Sequence, residues 1–185
     1  SIEMKMYKAI GINSFAFWDE IDKKPNFGSV INNFEKIDKQ EDILLLKWKG
    51  VRVGKQTISI LMRKNRKTQF NLKNIKIKNL FRQSLLTSLS YTLASHYLIK
   101  KWKPNLVLLS ETGYPPGGIL FEVCIEKKVK VITYSTAHAN NSLILKSYTK
   151  QNYLNHPFSI SQKNWEKIKK INFSKDKWLS LKTEI

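Results

Sequence analysis

Asn105-Leu106-Val107-Leu108-Leu109-Ser110-Glu111-Thr112-Gly113-Tyr114-Pro115-Pro116-Gly117-Gly118, continuing through Ile119 to Ser135, decides the fold class. Asn105 to Leu109 is an apolar run of the kind expected for a parallel strand buried on both faces. It empties into a polar, glycine-rich loop. A helix is predicted from about Ile119 to Lys127, and a second strand from Val129 to Tyr134 empties into Ser135-Thr136-Ala137-His138-Ala139-Asn140-Asn141. The unit is strand–helix–strand, which makes the chain α/β with an open parallel sheet flanked by helices. Such sheets take ligands outside the carboxyl ends of their strands, so the two polar loops are expected side by side on the functional edge.

Working outward, the longest helix is predicted from about Leu80 to Trp102. Phe81, Leu85, Leu89, Leu93 and Tyr97 fall at four-residue steps, with Leu86 and Leu98 broadening the stripe. Lys100, Lys101 and Lys103 suit its negative end, and Pro104 stops it. A shorter helix is predicted from Lys55 to about Lys64. Ahead of it, Gly50-Val51-Arg52-Val53-Gly54 reads as extended chain with a tight turn. Asn32–Glu41 reads as a connection, and Asn71–Asn79 as a surface connection or a lysine-protected edge strand. Beyond Asn141, residues Ser142–Tyr153 are expected to be helical. Ser159 with Gln162 resembles a capping box for a last helix through Ile171.

The bulk composition sets bounds. With 185 residues and 42% hydrophobic content, the chain suits one globular domain with a remainder. The single cysteine, Cys124, excludes a disulfide framework or a zinc cluster and fits a reducing, cytoplasmic setting. No stretch has the roughly 20 apolar residues needed to span a bilayer. The formal charge is +19, and between Asp42 and Glu111 there is no acidic residue against 15 Lys and Arg. Of 33 basic residues 29 are Lys, and Lys, Ile and Asn make 64 of 185, as an AT-rich coding sequence produces. Composition therefore explains much of the charge. The remainder points to phosphate in nucleotide sugars, anionic lipid or nucleic acid. Nucleic acid is the weaker partner, because arginine is scarce and no recognition motif is present.

The loop after the first strand carries the candidate chemistry. Gly113-Tyr114-Pro115-Pro116-Gly117-Gly118 matches neither phosphate-loop pattern, and its prolines remove N–H donors. Glu111 sits where a general base is useful; the alternative is a solvated loop carboxylate or a cap. His138 is a candidate base or phosphate ligand, or else polar surface. Tyr114 is placed to stack on a sugar ring or to cover the sheet edge. Ser110, Thr112, Gly113, Gly117 and Ser135 complete the predicted substrate-binding set with Arg52 and Arg63. No metal-ligand spacing occurs.

Gly50-Val51-Arg52-Val53-Gly54 with Arg63, the long helix, the strand Lys103–Leu109, Ser110 with Tyr114 and Gly117, and the strand Val129–Tyr134 together resemble bacterial capsule and surface-polysaccharide biosynthesis proteins of glycosyltransferase type. The resemblance covers roughly Ile43 to Tyr153. Glu111 stands where those proteins carry a histidine, and Lys55 where they carry an acid. The resemblance implies a Rossmann-like, acceptor-side domain over residues 1–153. Residues 154–185 would then be a helix or linker leading toward a second domain of a GT-B architecture. It further implies a glycan or lipid-linked acceptor, with Glu111 or His138 taking its proton and Arg52 and Arg63 countering phosphate charge. No cofactor is expected in this chain; the nucleotide-sugar donor would sit on the second domain. Contact of the basic face with an anionic inner membrane is a further expectation. The start at Ser1 and the end at Ile185 lead to the expectation of a fragment that is inactive alone. The rival reading is a basic module that binds nucleic acid or an anionic surface without catalysis.

Overall fold

The computed structural model describes residues 2–9, 11–12, 27–137, 141–172, 174–177 and 179. The chain divides into two compact units, Ser1–Tyr153 and Leu154–Ile185. The first unit contains helices α1 (Ile2–Ala9), α2 (Gly28–Glu35), α3 (Gln40–Leu44), α4 (Val53–Asn65) and α5 (Ile75–Trp102), then strand β1 (Leu106–Leu109), α6 (Gly117–Glu126) and strands β2 (Lys130–Thr136) and β3 (Leu143–Tyr148).

The expected β1–α6–β2 crossover is present, and β1 pairs parallel to β2 with Leu106 opposite Lys130 and Leu109 opposite Thr133. The sheet itself departs from expectation. It has three strands in the order β1-β2-β3, and β3 runs antiparallel to β2. Leu143–Tyr148, expected as helix, forms this strand, with Val131 opposite Tyr148 and Thr136 opposite Leu143. Its alternation is masked because Leu143 and Leu145 point to one face while Ile144 and Tyr148 point to the other. β2 thus continues through Ser135 to Thr136 and pairs with the strand that follows it, and the Ala137 N–H donates to the Ser142 carbonyl just beyond the paired residues.

β1 is also not buried on both faces. Leu106, Leu108, Tyr134, Leu143 and Leu145 stay exposed on one side of the sheet, Leu108 at 58% and Leu145 at 63%. The opposite side is covered by α6: Val131 and Tyr148 pack with Phe121, Cys124 and Ile125, and Phe121 meets Tyr148 edge to face at 5.0 Å. Burial there pushes the Cys124 thiol up to about 12.

The helical layer holds the larger core. Phe34, Ile43, Val51, Val53, Leu61, Phe81, Leu85, Leu89, Ile119 and Val123 form one buried cluster drawn from α2 to α6. The Asn-rich stretch expected as a connection is partly α2, whose Val30, Ile31 and Phe34 make an inward stripe. α5 starts five residues earlier than expected, because the Asn74 side chain accepts the N–H groups of Lys76 and Ile77 as an N-cap. Its apolar stripe also turns out of the core. Four-residue steps drift about 40° each on a helix of 3.6 residues per turn, so Phe81 is buried while Tyr97 faces out. The inward face is kept by Ser84, Ser88, Thr92 and Ser95, all buried. Their small size lets α4 approach: Thr57 Oγ1 lies 3.2 Å from Ser88 Oγ, and the Ser88 and Thr92 hydroxyls donate to carbonyls four residues back.

In the second unit, α7 (Gln162–Ile168) is capped by Ser161, whose Oγ accepts the Asn164 N–H at 3.3 Å. Ser159, the expected cap, instead donates its hydroxyl to the His156 carbonyl at 2.8 Å. Among the described residues no helix is long and apolar enough to cross a membrane.

Candidate functional site

The two arginines expected to counter phosphate have opposite surroundings. Arg52 is the N-cap residue of α4, and Glu122 of α6 holds it from three directions. Its backbone N–H donates to Glu122 Oε2 at 2.7 Å, while Nε and Nη2 donate to Oε1 at 3.2 and 3.0 Å. Gln56 Nε2 adds a fourth bond to Oε1 at 3.1 Å. Glu122 is 5% exposed and fully engaged, so this is a buried ion pair tying α4 to the crossover helix. The carboxylate also lies at the positive end of α4, where a negative charge is favoured. Tyr153 covers the outer face of the guanidinium at 5.4 Å. Lys55 sits half-buried beside this pair, and desolvation first, then the Arg52 charge, lowers its pKa, with Glu122 opposing.

The glycines of Gly50-Val51-Arg52-Val53-Gly54 serve the same junction. Gly50 takes a left-handed φ of +80° in the turn closed by Trp48 and Val51. Gly54 lies inside α4, not in extended chain, and a Cβ there would sit 1.6 Å from the Ile43 carbonyl oxygen. Its hydrogen is what lets α3 and α4 touch.

Arg63, in the last turn of α4, has no acidic partner among the described residues. Its guanidinium lies over the Tyr114 ring at 4.1 Å. The pair forms one wall of a cleft of about 450 Å³, completed by Ile60 and Lys64 of α4, Thr87 and Tyr91 of α5, and Pro115. Three separate parts of the chain converge here: the last turns of α4, the middle of α5 and the loop leaving β1. Helical spacing puts Thr87 and Tyr91 on one face of α5.

The remaining predicted residues fall around this loop. Ser110 is exposed directly after β1 and Thr112 is half-buried. The Glu111 carboxylate accepts the Gly113 N–H, closing a local turn, so the carboxylate is at least in part a loop brace. Gly117 and Gly118 open α6 where backbone approaches closely. A Cβ on Gly117 would lie 2.6 Å from the Glu111 carbonyl oxygen, and one on Gly118 would lie 2.8 Å from Gln56 Oε1 and 2.9 Å from the Thr112 carbonyl oxygen. Both glycines thus seat the loop against α6 and α4. Ser135 is half-buried on β2 opposite Ile144, on the same sheet edge as Ser110 but outside the cleft lining. His138 lies outside the described residues.

Sequence reasoning named Arg63 and Tyr114 as binding candidates, and the structure places them in contact in one cleft; it did not name Tyr91, Thr87 and Lys64 of the same cleft, nor Glu122. Glu122 did carry a signal: it is the one charge in the apolar run Ile119–Ile125, and a buried carboxylate requires a partner. Among the described residues no group of three or more His, Cys, Asp or Glu is placed to hold a metal ion. No family model matches the chain, and neither the curated proteins nor the solved structures contain a significant match.

Proposed function

We propose that this chain is the acceptor-side part of a glycosyltransferase that moves a sugar from a nucleotide-sugar donor to a growing surface polysaccharide or lipid-linked glycan. The fold in this reading is Rossmann-like and belongs to a two-domain GT-B architecture, with the donor held by the second domain. The observation that carries the reading is the Arg63–Tyr114 stack lining a cleft beside the loop that leaves β1. Ligands of α/β sheets gather at that edge. Tyrosine rings offer flat apolar faces to the C–H side of a sugar, and the basic groups beside them hold polar substituents.

Glu111 is the base candidate within the described residues. Its Oε1 is occupied by the Gly113 N–H, so proton acceptance from an acceptor hydroxyl falls to Oε2. His138 is the second candidate from sequence. The excess of Lys and Arg between Asp42 and Glu111 favours a position against an anionic membrane surface, where lipid-linked acceptors lie.

Calorimetric titration of the full chain with surface-polysaccharide oligosaccharides tests the reading. The wild type is expected to bind, and Tyr114→Ala to weaken binding by about tenfold or more, as loss of an aromatic sugar platform does. Absence of saccharide binding by the folded wild type, together with tight binding of single-stranded nucleic acid, would replace this reading with that of a basic nucleic-acid module.

A further inference from the structure

We infer that the Arg63–Tyr114 cleft takes an acidic saccharide, one whose sugar ring carries a carboxylate, rather than a neutral one. This rests on the acceptor-side reading and specifies its ligand. The contrast between the two arginines is the starting point. Arg52 caps α4 and Arg63 lies in its last turn, but Nε and Nη2 of Arg52 are bound to Glu122, whereas Arg63 makes no ion pair or hydrogen bond among the described residues. The Tyr114 ring, 4.1 Å from the guanidinium carbon, restricts where the Arg63 head can sit and takes none of its N–H donors by hydrogen bond. A planar fork of N–H donors with a fixed orientation matches the two oxygens of a carboxylate, and little further ordering is lost on binding.

The rest of the cleft agrees with that chemistry. Lys64 supplies a second cation, and no acidic side chain lines the walls among the described residues. The ion pairs that α4 and α5 make among the described residues, Arg52–Glu122, Lys78–Asp38 and Arg82–Glu35, involve no residue of the cleft lining, so the charges of Arg63 and Lys64 stay available to a ligand. Ile60, Pro115 and the Tyr91 and Tyr114 rings supply apolar surface next to the cations. A volume of about 450 Å³ is far larger than a lone anion needs and lies in the range of pockets that enclose small organic ligands. Rings to stack on, a carboxylate fork and space for more than one ring together describe a charged sugar.

The test is a calorimetric comparison of tetragalacturonate and maltotetraose, which have equal numbers of rings but differ in charge, with uridine diphosphate as a third probe. Wild type, Arg63→Gln, Tyr114→Ala and a Lys73→Gln control, an exposed lysine outside the cleft, are compared at two salt concentrations. Tetragalacturonate is expected to bind about tenfold or more tightly than maltotetraose. Arg63→Gln should remove most of that difference, as loss of a charge-assisted pair does, and Lys73→Gln should change it less than about twofold. Equal binding of the two saccharides, sensitive to Tyr114→Ala but not to Arg63→Gln, overturns the acidic specificity and leaves the acceptor reading standing. Equal losses in Arg63→Gln and Lys73→Gln reduce the effect to diffuse attraction by a basic surface and overturn the inference. If neither saccharide binds, or only uridine diphosphate does, both the inference and the acceptor reading fall.

Discussion

Replacing Glu122 with alanine should cost this fold more than any other single loss of charge. The side chain is 5% exposed and accepts four hydrogen bonds, three from Arg52 and one from Gln56. Its removal strands a guanidinium that is 22% exposed, an unpaired N–H at the start of α4 and the Gln56 amide. Breaking a buried pair in this way costs about 3–5 kcal/mol, and the partial exposure of Arg52 favours the lower end, about 3 kcal/mol. Domains of this size are stable by about 5–15 kcal/mol and lose about 2–4 °C of melting temperature per kcal/mol, so a fall of about 10 °C is expected. Arg52→Ala should cost less, because the Arg52 N–H and Gln56 still satisfy the carboxylate. The double variant should cost less than the sum of the singles by about 1 kcal/mol or more. Denaturant unfolding followed by circular dichroism and tryptophan fluorescence measures all three. Additive losses, or a Glu122→Ala loss under about 0.5 kcal/mol, would refute the buried ion pair as the junction between α4 and α6.

Gly54→Ala should destabilise by about 3 kcal/mol or more, although alanine is the better helix former by about 1 kcal/mol, because the added carbon meets the Ile43 carbonyl; equilibrium unfolding decides the sign. Leu108→Thr on the bare sheet face should change stability by less than about 0.5 kcal/mol, whereas Val131→Ala on the covered face should cost about 2 kcal/mol, and the two are compared by the same method. Burial lowers the His96 pKa, against the opposing bond it donates from Nε2 to the Lys49 carbonyl at 3.0 Å. The unfolded chain therefore binds the proton first, and the His96 contribution is complete above the ordinary histidine pKa of about 6.5 and is lost as pH falls below it. Unfolding midpoints measured from pH 8 to 5 should decline in the wild type and decline less in His96→Asn.

The parts of the fold that could be read from the chain are those where local pattern and packing agree. α4, α5 and the β1–α6–β2 crossover each have apolar spacing that matches a buried face. β3 escaped because Leu143 and Leu145 are apolar yet exposed, so its alternation does not separate inside from outside. The same bare face made β1 look buried on both sides. Apolar runs record what a strand could bury, and here one face lacks a cover among the described residues. At the site, Arg63 and Tyr114 were legible because a basic cluster and a loop aromatic stand out in sequence. Their contact was not, since 51 positions separate them and only the packing of α4 beside the loop closes that distance. Arg52 looked equivalent to Arg63 for the same reason: sequence shows the charge but not the buried carboxylate that consumes it.

Amide chemical-shift mapping of the isotope-labelled full chain during titration with tetragalacturonate is the most direct test of the site assignment. The account predicts perturbations concentrated in residues 60–64, 87–91 and 110–117, absent from the same titration of Tyr114→Ala. Perturbations centred on Lys47 and Lys150 near Arg52, spread over all basic surfaces, or absent altogether would contradict it.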